Sequence, residues 1–410
     1  MTVSPKLLQI AIDAGSGSIG SITTQIGDAF VDSFGGKSYI AYHYRLFPSK
    51  SHKNVSFAIG NIFTFYFHVL WTRLFDAHGL ASWSDTRKLI NFIENNQVDI
   101  VHLHNLHGYY VNIKMLLKYL AKKDIPVVWT IHDCWNFTGH CAHFYDIQCD
   151  LWKRGCPKCP RKDRFPKSVW LNRSAQNFQI KKHLINSINK LVLVPVSDWQ
   201  KRMLKESCLG TKTIVRVYNG VDTTIFKPKN SDDLKNSLGL RGMFIILGVA
   251  TGWGPDKGTL DYIELSKRIP DDIKIVLVGI TKELASQMPS RILCIPRTNS
   301  QQELSAFYNM ADVLTSLSYQ ESMGLTPVEA MACGTPSIVY NNTAQPELVD
   351  EKTGIVVETG NIEEVLLAVN SIRKKGKESY KESCINRALE LFDKKVCYSQ
   401  YIEIYKKLLS

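Results

Sequence analysis

The chain has 410 residues, 44% of them hydrophobic and 21% charged, with a net charge of +12. This composition belongs to an ordinary globular protein and excludes collagen-like or disordered classes, and the length suffices for two full cores. No window reaches the ~20 consecutive apolar residues of a membrane-spanning helix. Met1-Thr-Val-Ser-Pro-Lys leads straight into apolar sequence without a signal-peptide pattern, so a cytoplasmic protein is expected.

The first strand is expected over residues 7–12, followed by Gly15-Ser-Gly17-Ser-Ile-Gly20 at a helix start. This is the dinucleotide-binding fingerprint taken literally, in which glycines let backbone approach a phosphate. The second strand, 38–43, ends Ala41-Tyr-His-Tyr-Arg45 and offers no acid for an NAD ribose. Arg45 would suit a 2′-phosphate, so an NADP-dependent oxidoreductase is the alternative from another class.

Residues 61–71 are unusually aromatic, too short to span a membrane, and read as a core helix. The other reading is a surface facing lipid or a lipid-linked acceptor. Strands at 99–103 and 127–131 end in histidines (His102, His104, His107 and His132), where open α/β sheets gather binding groups. Alternation is expected to bring only one of His102 and His104 to the binding side. A fifth strand is expected at 191–196.

Residues 1–200 carry 23 Lys and Arg against 13 Asp and Glu, and the rest 27 against 25, so the first half holds nearly all the positive excess. Within 153–182 the only acid is Asp163. Such a run is usually a solvated face; the other reading is a basic domain attracted to anionic lipid or to a pyrophosphate-bearing acceptor. Neither a helix-turn-helix nor an aromatic RNA-binding pattern accompanies it, and no nucleic-acid partner is expected.

Ten cysteines without a secretion signal argue against a disulfide framework. Cys156-Pro-Lys-Cys159 has zinc-knuckle spacing, and Cys141 and Cys149 would complete a closed tetrahedron, a structural rather than catalytic site. His140 and His143 are substitutes, and reduced thiols packing a loop are the plain alternative.

The second half reads as strands at 215–218, 244–249, 273–278, 292–295, 313–316, 337–339 and 355–357, alternating with helices. Glu321-Ser-Met-Gly-Leu-Thr-Pro-Val-Glu329 bridges the strand at 313–316 and a helix over 327–332, with Pro near its start and Gly334 past its end. Unsatisfied first-turn amides there suit a phosphate. A carboxylate at each end suits a nucleotide-sugar, one for ribose and one for sugar hydroxyls.

This block, with Asn219-Gly-Val-Asp-Thr-Thr-Ile-Phe226-Lys-Pro228 and Gly254-Pro-Asp-Lys257-Gly258, resembles the E-x7-E signature and flanking motifs of retaining GT-B glycosyltransferases of family 4. The segment from His132-Asp-Cys-Trp through Gly155-Cys-Pro-Lys-Cys-Pro160 resembles an insertion in a subgroup from bacterial capsule, exopolysaccharide and O-antigen clusters.

The resemblance implies two Rossmann-like, doubly wound α/β domains facing across a cleft. They are expected at 1–200 (acceptor side, Cys-rich loop 133–161) and 201–380 (nucleotide-sugar side), with a helix over 381–410 crossing back to the first domain. It implies retaining, metal-independent hexosyl transfer from a nucleotide-diphosphate sugar to a lipid-linked saccharide, peripherally on the inner membrane surface. His132, Lys257 and Glu321 are the implied catalytic residues. Gly17, Arg297, Gly324, Leu325, Thr326 and Glu329 are expected on the donor, and Gly15, Gly20 and His104 on the acceptor side. The family's usual arginine falls at Gly252, and Arg297 is the substitute cation. That departure leaves a non-catalytic paralogue or a nucleotide-sugar epimerase as alternatives. No cofactor is expected for catalysis.

Overall fold

The computed structural model describes residues 4–15, 17–44 and 53–410. Two compact units emerge, Met1–Val217 with Tyr398–Ser410, and Tyr218–Cys397.

Unit 1 is built on a seven-stranded, all-parallel sheet in the order β3-β2-β1-β4-β5-β6-β7. Its strands are β1 (Lys6–Ala11), β2 (Lys37–His43), β3 (Asn54–Ile59), β4 (Ile100–Leu103), β5 (Val127–Ile131), β6 (Leu191–Pro195) and β7 (Thr213–Ile214). Central strands such as Val-Val-Trp-Thr-Ile and Leu-Val-Leu-Val-Pro are buried at every position, as strands covered on both faces must be. Helix α1 (Gly17–Phe34) follows β1 and buries Ile22, Ile26 and Phe30. The strand order reverses direction between β1 and β4, the place where open α/β sheets bind ligands.

Unit 2 has six parallel strands in the order β10-β9-β8-β11-β12-β13. They are β8 (Phe244–Val249), β9 (Ile273–Val278), β10 (Ile292–Ile295), β11 (Val313–Ser316), β12 (Ser337–Tyr340) and β13 (Gly354–Val357). Its order reverses between β8 and β11.

Four expectations need correction. First, β3 was not read from sequence: it is an edge strand with only its two ends buried, so no apolar alternation marks it. Second, the stretch at 215–218 does not open the second unit. Val215 and Val217 donate to the carbonyls of Leu193 and Pro195 at 3.0 and 3.1 Å, extending the ladder of β6, so the division falls after Val217 rather than near residue 200.

Third, the aromatic helix α2 (Ile62–Phe75) is not a core helix. It buries only His68 and Thr72, while Phe63, Tyr66, Phe67 and Leu70 are exposed. Asn61 caps it with a full capping box, accepting from the amides of Phe63 and Thr64.

Fourth, the helix over 381–410 is not continuous. Helix α4 (Glu378–Arg387) runs into a wide turn at Ala388–Phe392, and Asp393 then breaks the helix with an extended ψ of 136°. Helix α5 (Lys394–Leu409) follows, and only its part from Tyr398 belongs to unit 1. There Tyr405 and Tyr401 hydrogen-bond His102 Nδ1 and Thr130 Oγ1 at 2.6 and 2.9 Å.

Candidate functional site

In unit 2 the two strands flanking the reversal point, β8 and β11, each lead into a loop that carries a sequence-predicted residue. After β8, Pro255–Lys257 forms a single tight turn that presents Lys257. Gly258 closes it at φ +70°, and a Cβ there would meet the carbonyl oxygen of Leu317 at 2.2 Å, so no other residue fits. After β11, the loop carries Glu321, whose amide donates to Thr343 Oγ1 at 3.0 Å. Lys257 Nζ and Glu321 Oε1 meet at 2.6 Å, both partly exposed.

Glu321 packs over Gly324, whose φ is +85° and whose hypothetical Cβ would lie 3.5 Å from Glu321 Cγ. Helix α3 (Leu325–Ala332) starts there with no side-chain cap. The amides of Leu325 and Thr326 belong to the first turn and have no intrahelical acceptor, and Pro327 has no N–H at all. The helix dipole adds positive potential at this end. Glu321 therefore links Lys257 to the start of this helix, contacting Lys257 on one side and Gly324 on the other. Glu329 lies one helical turn beyond Leu325 on the same face. Tyr308 donates its hydroxyl hydrogen to Glu329 Oε2 at 2.6 Å. Burial pushes the Glu329 carboxyl up to about 7, although the Tyr308 hydrogen bond pulls the other way.

Arg297 lies exposed in the loop after β10, and among the described residues no hydrogen bond or ion pair ties it to this cluster. At Gly252 a Cβ would meet nothing within 4 Å. The place of the resembled family's arginine is open space.

In unit 1 the ends of β1, β4 and β5 bring three predicted features to the reversal point. The glycine loop after β1 wraps the side chain of Asp13: Cβ atoms on Gly17 and Gly20 would lie 3.3 Å from Asp13 Oδ2 and 2.9 Å from its Cγ. Gly15 and Gly17 hold left-handed φ values of 82° and 63°. A carboxylate in this position opposes a phosphate, which disfavours the dinucleotide reading, and Arg45 lies outside the described residues.

The histidines form a connected row. His102 and His104 stack at 4.2 Å on one side of the sheet, because residues two apart in a strand share a face. The expectation that alternation separates them fails for that reason. Gln9 Nε2 donates to the Thr23 carbonyl at 2.7 Å, which fixes the amide and leaves Oε1 as acceptor for His104 Nε2–H at 3.2 Å. His104 Nδ1 is then an acceptor, and His132 Nε2–H donates to it at 3.1 Å. Neutral His132 is left with a lone pair on Nδ1. Burial holds His132 down to about 4, and His104 well below the ordinary imidazole range, so both are uncharged at neutral pH.

Cys141, Cys149, Cys156 and Cys159 line one small cavity, with Phe144 and Trp152 in its wall. Gly139 donates its amide to Cys156 Sγ at 3.0 Å. The hydrogen bond from Cys141 lowers Cys159 to about 6, and the same contact pushes Cys141 up. The donor chemistry suits zinc, yet among the described residues no three His, Cys, Asp or Glu side chains stand close enough to hold an ion. His140 is engaged instead by Asp76, with Nδ1 2.7 Å from Oδ1.

Tyr308, Thr343 and Gln9 were missed from sequence. Each acts by holding a predicted residue from a distant position, and no local pattern signals that.

Residues 46–225 match the family described as Glycosyltransferase Family 4, and residues 219–390 match Glycosyl transferases group 1. The chain is 26% identical over 277 residues to WcaC of Escherichia coli (strain K12), whose name assigns it to colanic acid biosynthesis as a glycosyl transferase; the match covers 66% of each chain. Other curated relatives are matched over 41% to 55% of their length. A sucrose-phosphate synthase structure from Thermosynechococcus elongatus superposes with a TM-score of 0.72 at 15% identity, covering 98% of this chain and 99% of the other. Anabaena Alr3699/HepE in complex with UDP-glucose gives 0.65 at 16% identity, covering 98% and 99%. The two family matches, both of glycosyltransferase families, together run from residue 46 to 390, and the two parallel-sheet units are those of the GT-B fold of these solved structures.

Proposed function

We propose that the chain is a retaining glycosyltransferase that moves a sugar from a nucleotide-diphosphate sugar to a hydroxyl of a lipid-linked saccharide in bacterial surface polysaccharide assembly. The observation that carries the reading is the grouping of Lys257, Glu321 and the uncapped start of α3, with Glu329 one turn on. The crystallised complex of HepE with UDP-glucose and the colanic acid name of WcaC lend support.

In this reading Lys257 and the amides of Leu325 and Thr326 take the diphosphate, Glu329 the ribose hydroxyls, and Glu321 the sugar hydroxyls. His132 offers Nδ1 to a sugar hydroxyl, while Gly15, Gly17, Gly20 and His104 serve the sugar and acceptor. The bond from C1 to the diphosphate oxygen breaks as the acceptor oxygen bonds C1 on the same face, and the acceptor proton passes to the diphosphate. Positive charge at Lys257 and the helix start stabilises the negative charge that develops there. Positive charge from the chain itself makes a catalytic metal unnecessary. A structural zinc on the four cysteines is proposed alongside, and it requires their sulfurs to draw together. The working place is the cytoplasm; no helix among the described residues is long and apolar enough to cross a membrane.

Gly252 favours a second reading, a non-catalytic paralogue or a nucleotide-sugar epimerase. A panel of nucleotide-sugars, scored for binding, slow hydrolysis, transfer and epimerisation, separates these. Failure to bind any donor overturns the glycosyltransferase reading.

A further inference from the structure

Helix α2 is turned inside out. Its two buried residues are polar: His68, whose Nδ1 lies 2.8 Å from Ser82 Oγ and whose Nε2 accepts from the Gly79 amide at 3.1 Å, and Thr72. Its solvent face carries Phe63, Tyr66, Phe67 and Leu70 at helical spacing, and Phe63 is 82% exposed. Ring contacts extend this face through Phe67 and Trp71 to Trp83, the first pair stacked at 5.9 Å and the second edge-to-face at 5.5 Å.

A second apolar strip adjoins the end of the helix. Val169 donates its amide to the carbonyl of Arg73 at 2.9 Å, which anchors the segment Val169, Trp170 and Leu171 there, and Trp170 is 73% exposed. Lys162 Nζ braces that segment by donating to the carbonyls of Val169 and Trp170 at 3.1 and 3.0 Å. Arg73, which meets Val169 through its backbone, and Arg164 and Lys167, which precede the strip in sequence, are all exposed, and Asp163 is the single acid of the 153–182 stretch.

Exposing so many large aromatic side chains in one place is unfavourable in water, and such patches mark contact surfaces. Exposed aromatic groups on segments that also carry exposed cations match the chemistry of an anionic bilayer surface, where rings enter the headgroup region and cations meet phosphates. We propose that α2 and the Val169–Leu171 strip form the surface by which this chain docks on an anionic phospholipid bilayer. The inference deepens the lipid-linked acceptor reading and rests on it for its purpose, but the docking itself is measured without donor or acceptor.

The test is co-sedimentation of the full chain with phosphatidylglycerol/phosphatidylcholine vesicles and with phosphatidylcholine vesicles alone. Binding at least tenfold tighter to the anionic vesicles, weakened by salt, is expected. The double variant Phe63→Ser with Trp170→Ser should lose at least tenfold in vesicle affinity while keeping its circular dichroism and its donor binding. Arg164→Glu with Lys167→Glu, which leaves the apolar face intact, should lose binding to anionic vesicles specifically. Absence of binding to anionic vesicles at low salt, or equal binding by the double variant, overturns the proposal. A dimer that dissolves in the double variant, with no vesicle binding by the native chain, assigns the face to a second copy and also overturns it. Nucleotide-sugar binding is scored separately, so a failed glycosyltransferase reading leaves the vesicle result interpretable.

Discussion

Tyr308 and Glu329 share a hydrogen bond of 2.6 Å, and burial sets the carboxyl near 7. Ribose hydroxyls donate more strongly to the ionised form, so donor affinity should rise with pH up to about 7 and level off above it. Binding near pH 6 should release protons, detectable by calorimetry in buffers of different ionisation enthalpy. Tyr308→Phe removes a bond that favours the anion, and it should move the profile to higher pH. Glu329→Gln should weaken the donor by about 1.5–3 kcal/mol and abolish the pH dependence.

The same shift fixes a sign for stability. Glu329 binds its proton more tightly in the folded than in the unfolded chain, so ionising it costs stability. The cost is absent below the unfolded carboxyl range and fully present above about 7. Thermal melts of Glu329→Gln and the native chain, compared across this window, should converge at low pH, with the variant the more stable at high pH.

Lys257→Ala should lower turnover more than donor binding, by about 10²-fold or more, since charge on the diphosphate grows as the bond breaks. The variant also leaves Glu321 without its ion pair. Turnover within a factor of two of the native chain would transfer the role to another cation, with Arg297 the first to examine.

Gly252→Arg is the opposite experiment. Its Cβ has open space, and Gly252 is not among the glycines with left-handed backbone, so the variant should fold with a stability change within about 0.5 kcal/mol. A second cation beside the proposed diphosphate site should raise donor affinity or turnover severalfold. Unchanged kinetics would mean that this position is too far from the diphosphate to matter.

For the cysteines the expectation is about one zinc per chain, with Zn–S near ~2.3 Å. Chelation should lower the melting temperature before it touches donor binding, because Cys141, Cys149, Cys156 and Cys159 all belong to unit 1. Elemental analysis of protein purified without added metal decides this. Negligible zinc with freely titrating thiols leaves only packing.

The sheets were largely legible because fully covered parallel strands are continuous apolar runs, as in Leu191–Pro195 and Phe244–Val249. The E-x7-E block was legible because a helix start, a glycine and two carboxylates lie within one short segment. The edge strand β3 and the break at Asp393 were not, since neither carries an apolar period that changes there. Helix α2 misled because aromatic content alone cannot tell which way a face points; that depended on His68 finding Ser82 and Gly79. The support given by Gln9 and Tyr308 depends on tertiary neighbours.

Unit 1 has a consequence for synthesis. Its first 217 residues leave the ribosome early, but Tyr401 and Tyr405, the partners of Thr130 and His102, emerge only after every residue of unit 2 has been made. Until then the buried His102 Nδ1 and the space filled later by Tyr405 beside Phe30 stay incomplete. The unit begun first is therefore the one finished last, and a nascent chain stalled before Tyr398 would carry a complete second unit behind an unfinished first one.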